Sequence, residues 1–264
     1  MLKLIQITDD PALARRCDAL DGMRLFVDLE RMGKAERQAG RNTFISAHSL
    51  EDVGRIREVL RRSRLMVRIN PWHPGSVVEI DAVLARGADL VMLPMATRTS
   101  EVREFAEALK GRVPGVVLLE TKDALDCLES WIGTPGLDEV YLGLNDLHMA
   151  LGQRFMFEPL ASGIVDSVAA AARRHGLRFG FGGIARIDEG MLPGRDVLAE
   201  HLRVGSRAVI LSRTFHRAGG EASLENEVGA LRQAEAALAL RTPPQVDADR
   251  RRIAERIEHL ATPA

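Results

Sequence analysis

Cysteine is scarce in this sequence of 264 residues, in which Cys17 and Cys127 are the only two and no CxxC spacing occurs. Two cysteines so far apart argue against a disulfide framework and supply no thiolate pair for a zinc site. The pattern favours a reducing compartment, and we predict that both cysteines are small core residues.

The sequence also lacks an excess of charge and a long apolar run. Lys and Arg (36) nearly balance Asp and Glu (37), so no bulk electrostatic field indicates nucleic acid or an anionic membrane as a partner. The apolar start "MLKLIQIT" is followed at once by "DDP" and is too short for a signal peptide, and no later run approaches a membrane span. We therefore expect a cytoplasmic protein with neither nucleic acid nor a membrane as partner.

The sequence does contain a repeated alternation of apolar runs and amphipathic helical segments. The runs predict eight strands, at residues 3–8, 24–29, 65–70, 89–95, 115–120, 139–144, 178–183 and 208–213. Each run is apolar on both faces, as strands inside a parallel sheet are, and helical stretches lie between them. This order predicts an α/β fold, a single (β/α)₈ TIM barrel over residues 1–240, with a doubly wound open sheet as the alternative.

The last part of the chain, residues 241–264, departs from this alternation. The stretch "RTPPQVD" interrupts the chain, and the following "ADRRRIAERIEHLA" places Ile253, Ile257 and Leu260 at helical spacing. We predict an extra C-terminal helix outside the barrel. Two roles for it remain open: it covers the barrel's own surface, or it docks on a neighbouring subunit.

Charged residues stand at the ends of several predicted strands. Asp28 and Glu30 end strand two, Arg68 lies on strand three, Glu120 ends strand five and Asp146 follows strand six. In a parallel barrel these ends share one face, where like charges repel each other unless they are compensated. A divalent cation, Mg²⁺ or Mn²⁺, held by the carboxylates of Glu120 and Asp146, would compensate them, although each acid alone also suits a salt bridge or a helix cap.

The motifs "FVDLE", "VRINP", "GADLVMLPM", "LLET", "YLGLNDLH" and "FGFGGIA" together resemble the HpcH/HpaI aldolase and citrate lyase β-subunit family, in order and spacing over about residues 1–217. The resemblance implies a (β/α)₈ barrel that binds Mg²⁺, Mn²⁺ or Co²⁺. It also implies an enzyme that makes or breaks carbon–carbon bonds next to the enolate of an oxo acid or thioester.

The resemblance also implies roles for single residues. Glu120 and Asp146 match the metal-ligand carboxylates, and Arg68 matches the arginine that holds the substrate's carboxylate or oxo group. The backbone amides around Asn145 and Asp146 match the place where a pyruvate-like carboxylate docks. To these we add two expectations from the residues themselves. Asp28 and Glu30 point to the same side of their strand and are expected to surround the metal and its waters. Gly182 and Gly183 are expected to allow tight packing or close approach of the substrate.

The chain departs from the pyruvate aldolases of this family at three positions. Arg31 stands where they have the acid/base histidine, Ala85 where they have its aspartate partner, and Leu118 where they have a glutamine. Arg31 is always protonated and would bind a second carboxylate. The remaining candidates for proton transfer are His148, in a loop close to the metal, His48, His73, Lys34 and a metal-held water.

These observations predict a metal-dependent lyase or synthase of the aldol type that acts on a small oxo or hydroxy acid. Two alternatives stay open: Claisen-type chemistry on an acyl-CoA thioester, and a catalytically silent barrel that keeps its metal or ligand site. The family habit and the tail helix favour a homo-oligomer, a trimer or a hexamer.

Overall fold

Eight parallel strands in chain order form a closed barrel in the computed structural model, which describes residues 1–33, 47–216 and 223–262. The strands are β1 (Lys3–Ile7), β2 (Met23–Asp28), β3 (Arg64–Arg68), β4 (Leu90–Leu93), β5 (Gly115–Leu119), β6 (Leu137–Leu142), β7 (Arg178–Ile184) and β8 (Ala208–Leu211). Every residue of β2, β4 and β5 is buried, as expected for parallel strands covered on both faces.

Helices alternate with these strands and confirm the predicted (β/α)₈ barrel with an additional C-terminal helix. Within the described residues they are α1 (Pro11–Asp18), α2 (Leu50–Val59), α3 (Ser76–Ala85), α4 (Thr99–Leu109), α5 (Lys122–Asp126), α6 (Leu128–Trp131), α7 (Leu144–Ala150), α8 (Glu158–Ala161), α9 (Ile164–Arg174), α10 (Gly194–Val204), α11 (Leu224–Leu238) and α12 (Pro243–Ala261). A 3₁₀ turn spans Arg213–His216. None of the helices in these three ranges is long and apolar enough to cross a membrane.

Several strands end earlier than the sequence predicts, which places polar residues in the loops that follow. Strand β5 ends at Leu119, so Glu120 lies just beyond it, and β6 ends at Leu142. Strand β2 ends at Asp28, which is in register with Arg68 at the end of β3. The charged residues predicted to form the site therefore stand at or just past the carboxyl ends of their strands.

The chain divides into two compact units, and the first spans Ile5–Tyr141. A buried ion pair joins β2 to β6 inside this unit. Arg24 donates from Nη1 and Nη2 to the two carboxylate oxygens of Glu139, at 2.9 and 3.0 Å. Because both hydrogen bonds are made, the two buried charges satisfy each other, and the pair links two strands that are not neighbours in the barrel. Cys17 is buried in this unit, as predicted, whereas Cys127 is half-buried.

The second unit combines Met1–Leu4 with Leu142–Ala264 and contains the tail helix α12. This helix begins at Pro243, earlier than predicted, because a proline is tolerated in the first helical turn and Gln245 accepts a hydrogen bond from the Thr242 N–H at 2.8 Å. Ile253 and Ile257 are buried where α12 packs against α8 and α10. The chain itself therefore covers this apolar face, and a role in oligomerisation stays a prediction.

Replacement of Ile257 by alanine tests how strongly the tail helix is attached. Ile257 is 0% exposed, so Ile257→Ala should lower the free energy of unfolding by about 2–5 kcal/mol in urea denaturation. Leu240→Ala is the matched control, since Leu240 is 84% exposed and its loss should cost no more than about 0.5 kcal/mol. Equal costs for the two variants would mean that α12 adds nothing to the fold.

A buried histidine in the second unit makes stability depend on pH. His201 is 0% exposed and stacks on Phe181 with ring centroids 3.8 Å apart, and its Nδ1 lies 2.8 Å from Ser206 Oγ. Burial disfavours the imidazolium and lowers the pKa of His201 from 6.5 to about 3. The unfolded chain therefore binds a proton between about pH 6.5 and pH 3 that the folded chain does not bind.

This contribution to stability is complete above about pH 6.5 and is lost as the pH falls through that window. We expect the wild type to lose stability relative to His201→Phe by up to about 1.4 kcal/mol per pH unit there. Urea unfolding of both proteins between about pH 6.5 and pH 3 measures the difference in their stability. The titration of all other groups cancels in this difference. Parallel stability curves for the two proteins would contradict this assignment.

Candidate active site

Arg68 lies at the centre of a buried cluster in the first unit. Its Nε and Nη2 donate to the two oxygens of Asp28, each at 2.8 Å, and its Nη1 lies 3.3 Å from Glu30 Oε2. The bidentate contact fixes the plane of the guanidinium as well as its position. The register between β2 and β3 produces this contact, because it sets Asp28 directly beside Arg68.

Asp28 and Glu30 lie on the same side of the chain, as alternation predicts, and both are only 2% exposed. Their place around a metal stays a prediction. In the structure the carboxylates of both residues contact Arg68. Asp28 Oδ1 also accepts the Glu30 N–H at 3.2 Å. The two acids therefore hold an arginine in place.

Glu120 follows β5 directly, is 3% exposed, and accepts the Met95 N–H at Oε1 over 3.1 Å. Burial alone would lower the pKa of Arg68, but the carboxylates of Asp28, Glu30 and Glu120 outweigh burial and raise the pKa of Arg68 above its usual value. Arg68 is therefore a permanent cation that can orient an anion but cannot transfer a proton.

The chemistry of this cluster fits a divalent cation. Carboxylate oxygens are the hard donors that Mg²⁺ and Mn²⁺ prefer, and buried acids make the local potential negative. Across the described ranges, however, no three His, Cys, Asp or Glu side chains are grouped closely enough to hold a metal together. A site here would therefore use few protein ligands and leave positions for water and substrate, as Mg²⁺ sites commonly do.

Asp146 belongs to the second unit and lies in the first turn of α7, where both it and Asn145 are half-buried. His148 was predicted to lie in a loop close to the metal, and the loop is wrong, because His148 lies in α7 with Asp146. Both residues are in the helix, and residues two apart on a helix do not face each other. His148 Nδ1 donates to the Leu144 carbonyl at 3.0 Å, so a neutral His148 keeps its basic lone pair on Nε2.

Gly182 and Gly183 lie in β7, next to an irregularity of strand register. Gly182 has a φ of 55°, and a Cβ there would come within 2.9 Å of Leu144 Cδ1 at the start of α7. A Cβ on Gly183 would meet only an ordinary contact, 3.6 Å from the Ile210 carbonyl oxygen. Gly182 is therefore favoured by its left-handed φ and by the close approach of Leu144, and contact of either glycine with substrate stays a prediction.

His48 and Arg31 hold the chain next to Asp28. His48 is 4% exposed, its Nδ1 accepts the Asp28 N–H at 3.0 Å, and its Nε2 lies 3.9 Å from Asp9 Oδ1. Arg31 donates from Nη2 to the His48 carbonyl at 2.9 Å. These contacts give both residues a role in positioning the backbone. The hydrogen bond from Asp28 also occupies the Nδ1 of His48, a residue that was a predicted candidate for proton transfer.

Asn70 and Glu79 were not predicted as site residues, although Asn70 lies in the motif "VRINP". Asn70 Oδ1 accepts the N–H groups of Arg31 and Met32 at 2.9 and 3.0 Å, and Asn70 Nδ2 donates to Glu79 at 2.9 Å. The only signal for Asn70 was its place two residues after Arg68, on the same side of the chain. This chain of hydrogen bonds ties the segment after β2 to the segment after β3.

The other sequence candidates lie away from the Arg68 contacts or outside the described residues. His73 Nε2 lies 3.4 Å from Glu79 Oε2. Leu118 is buried within β5, and Ala85 is the last residue of α3. Lys34 lies outside the described residues.

The protein is a (β/α)₈ barrel in which an arginine is held by carboxylates at the carboxyl ends of the strands. Enzymes of this fold keep their active sites at that face. The family model for HpcH/HpaI aldolase/citrate lyase matches residues 8–181, and the chain belongs to this family. The resemblance seen in the motifs is thereby confirmed.

Comparison with individual proteins agrees with this assignment. A hydroxypyruvate/pyruvate aldolase from Rhizorhabdus wittichii is 24% identical over 179 residues, which are 53% of this chain and 70% of that protein. The solved HpcH/HpaI aldolase from Desulfitobacterium hafniense aligns with a TM-score of 0.61 and 17% identity over 91% of this chain and 94% of that one. The citrate lyase β subunit from M. tuberculosis, solved with oxaloacetate and magnesium, gives 0.60 and 18% over 89% and 96%. At such identities the structural similarity shows the fold.

Removal of the Arg68 guanidinium should destabilise the protein strongly. Arg68→Met leaves Asp28 and Glu30 buried without this cation, so we expect a loss of about 3–5 kcal/mol in the free energy of unfolding. Arg68→Lys keeps the charge but cannot reach both Asp28 oxygens, so its loss should be intermediate.

Arg62→Met is the control, because Arg62 pairs with Asp21 on the surface, where both side chains are more than half exposed. An exposed pair of this kind should contribute less than about 1 kcal/mol. Urea denaturation at neutral pH measures all three variants. If Arg68→Met costs no more than Arg62→Met, the buried cluster does not depend on its arginine.

Proposed function

We propose that the protein is a divalent-metal-dependent carbon–carbon lyase of the aldol type that acts on a small 2-oxo or hydroxy acid. The observation that carries the proposal is the buried cluster of Arg68 with Asp28, Glu30 and Glu120. Membership of the aldolase and citrate lyase family supports the reaction class. A pyruvate aldolase relative and a structural neighbour solved with oxaloacetate and magnesium support an oxo acid and a divalent metal.

Glu120 and Asp146 are the residues proposed to hold the metal, which is Mg²⁺ or Mn²⁺, with Co²⁺ as a further option. When bound, such an ion polarises the keto group of an oxo acid and stabilises the negative charge that develops as the carbon–carbon bond breaks. The buried position of Glu120 keeps its carboxylate dehydrated, which strengthens its attraction for a cation.

Arg68 is proposed to bind the substrate's carboxylate or oxo oxygen. Two of the five guanidinium N–H groups donate to Asp28, and Nη1 also approaches Glu30, so the second N–H of Nη2 and one N–H of Nη1 remain for an anion. Because Asp28 and Glu30 already hold the guanidinium, it needs little reorganisation when charge develops on the substrate. The acids around Arg68 thus contribute to catalysis by orienting it.

Proton transfer is assigned to His148 in this proposal. Arg31 donates to the His48 carbonyl, and His48 uses its Nδ1 to accept a backbone N–H. His148 is half-buried, and its contact with the Leu144 carbonyl leaves Nε2 as the basic nitrogen of the neutral ring. An imidazole with a defined basic nitrogen suits the removal or return of a proton at an aldol hydroxyl.

The proposal is tested by assaying aldol cleavage and condensation with a panel of 2-oxo acids and aldehydes. We expect turnover with added Mg²⁺ or Mn²⁺ that EDTA abolishes. Glu120→Gln and Asp146→Asn should each lower kcat/KM by about 100-fold or more, because each removes a proposed ligand charge. Asp247→Asn on the exposed side of α12 is the matched control and should leave turnover unchanged.

Other outcomes of this assay would reject parts of the proposal. Full activity in both carboxylate variants would refute the metal assignment. Metal binding without turnover on any oxo acid would favour a catalytically silent barrel, an alternative suggested by Arg31, which contacts backbone where family aldolases have a histidine. Thermal stabilisation by acetyl-CoA, but not by pyruvate or oxalate, would favour acyl-CoA chemistry. Loss of turnover in His148→Ala with metal binding retained would support the proton-transfer assignment.

A further inference from the structure

Met95 has a backbone conformation that is unusual for its residue type. Its φ is 53°, in the left-handed region, and among the non-glycine residues of the described ranges only Met95 and Lys110 have a positive φ. Lys110 caps the carboxyl end of α4, where a left-handed residue is common. Met95 lies in the loop after β4, where no helix end accounts for the strain.

Two hydrogen bonds from the segment after β5 hold this loop. The Met95 N–H donates to Glu120 Oε1 at 3.1 Å, and Thr121 Oγ1 donates to the Ala96 carbonyl at 2.5 Å. Consecutive residues after β5 therefore bind consecutive residues after β4. Glu120, Thr121 and Ala96 are all buried, so water cannot easily replace these contacts.

Thr121 is itself fixed in orientation. Its hydroxyl donates to Ala96 and accepts the Ala124 N–H at 3.1 Å, as the N-cap of α5. Because donor and acceptor are both used, the hydroxyl cannot rotate without losing a hydrogen bond. The start of α5 and the loop after β4 are thus joined through one side chain.

We propose that Met95, Ala96, Glu120 and Thr121 form a clamp, the β4–β5 clamp, in which Met95 and Thr121 are positioning residues for the Glu120 carboxylate. The left-handed conformation of Met95 aims its N–H at Oε1, and Thr121 holds the carbonyl of the following residue, Ala96, so that this conformation persists. The inference rests on the proposed function in so far as Glu120 is a metal ligand. It adds that the strained backbone at Met95, which supplies no metal ligand, partly determines the metal affinity.

Substitutions that differ in their tolerance of a positive φ test the clamp. Met95→Gly keeps the N–H and adopts the left-handed conformation without strain, whereas the branched side chain of Met95→Val opposes it. Titration calorimetry with MnCl₂ should give an affinity within about threefold of the wild type for Met95→Gly and at least about tenfold weaker for Met95→Val. Thr121→Val should likewise weaken binding, and Thr121→Ser, which keeps the hydroxyl, should restore it.

Lys110→Val is the matched control, because it imposes the same strain at an exposed helix end. It should lower the unfolding midpoint without changing the affinity for Mn²⁺. Wild-type affinity in folded Met95→Val and folded Thr121→Val would overturn the clamp.

Amide hydrogen exchange of the metal-free protein separates the clamp from the proposed function. The amide of residue 95, whose N–H donates to Glu120, should exchange slowly in the wild type and in Thr121→Ser, and faster in Thr121→Val and Met95→Val. If the wild type binds no Mn²⁺, the metal assignment fails, and the exchange rates alone decide on the clamp. Equal exchange in all four proteins would reject it.

Discussion

The bidentate ion pair between Arg68 and Asp28 is the contact on which the other candidate-site residues of the first unit depend. It joins the ends of two neighbouring strands, and each partner is held from a second direction. Asp28 is fixed through its N–H by His48, and Arg68 also approaches Glu30. The position of the guanidinium is therefore determined by the backbone of the barrel. A substrate meeting it would find a donor that is already oriented.

Strand β2 contributes to two bidentate ion pairs, one near each of its ends: Arg24 with Glu139, and Asp28 with Arg68. Arg24 and Glu139 form a bidentate pair in which both residues are buried. Arg68 has more than one acidic neighbour, and these carboxylates raise its pKa. Buried ion pairs are often no more stabilising than apolar residues of similar volume. Stability alone therefore does not account for the acids around Arg68, in keeping with the site proposed there.

The sequence was sufficient to predict the barrel, because strand and helix periodicities are local properties of the chain. It also singled out Arg68 and Glu120 as candidates, since charged residues at the ends of buried strands are conspicuous. It did not show that Asp28 and Glu30 contact Arg68, because side-chain pairing depends on strand register. The helix around Asp146 was read as a loop, since Gly, Asn and Asp favour turns as well as helix starts. The left-handed Met95 left no signal, because methionine rarely adopts that conformation.

The double hold on Asp28 and Arg68 has an evolutionary consequence. If Arg68 binds the substrate, as proposed, a change of substrate charge would require a different residue at position 68, yet a single replacement there leaves buried acids without their arginine. Replacing Asp28 first would leave the guanidinium without its bidentate partner. Paths of single substitutions through either position therefore cross a destabilised intermediate. If the pair binds the substrate as proposed, changes of substrate preference on this barrel are favoured in the loops around the pair.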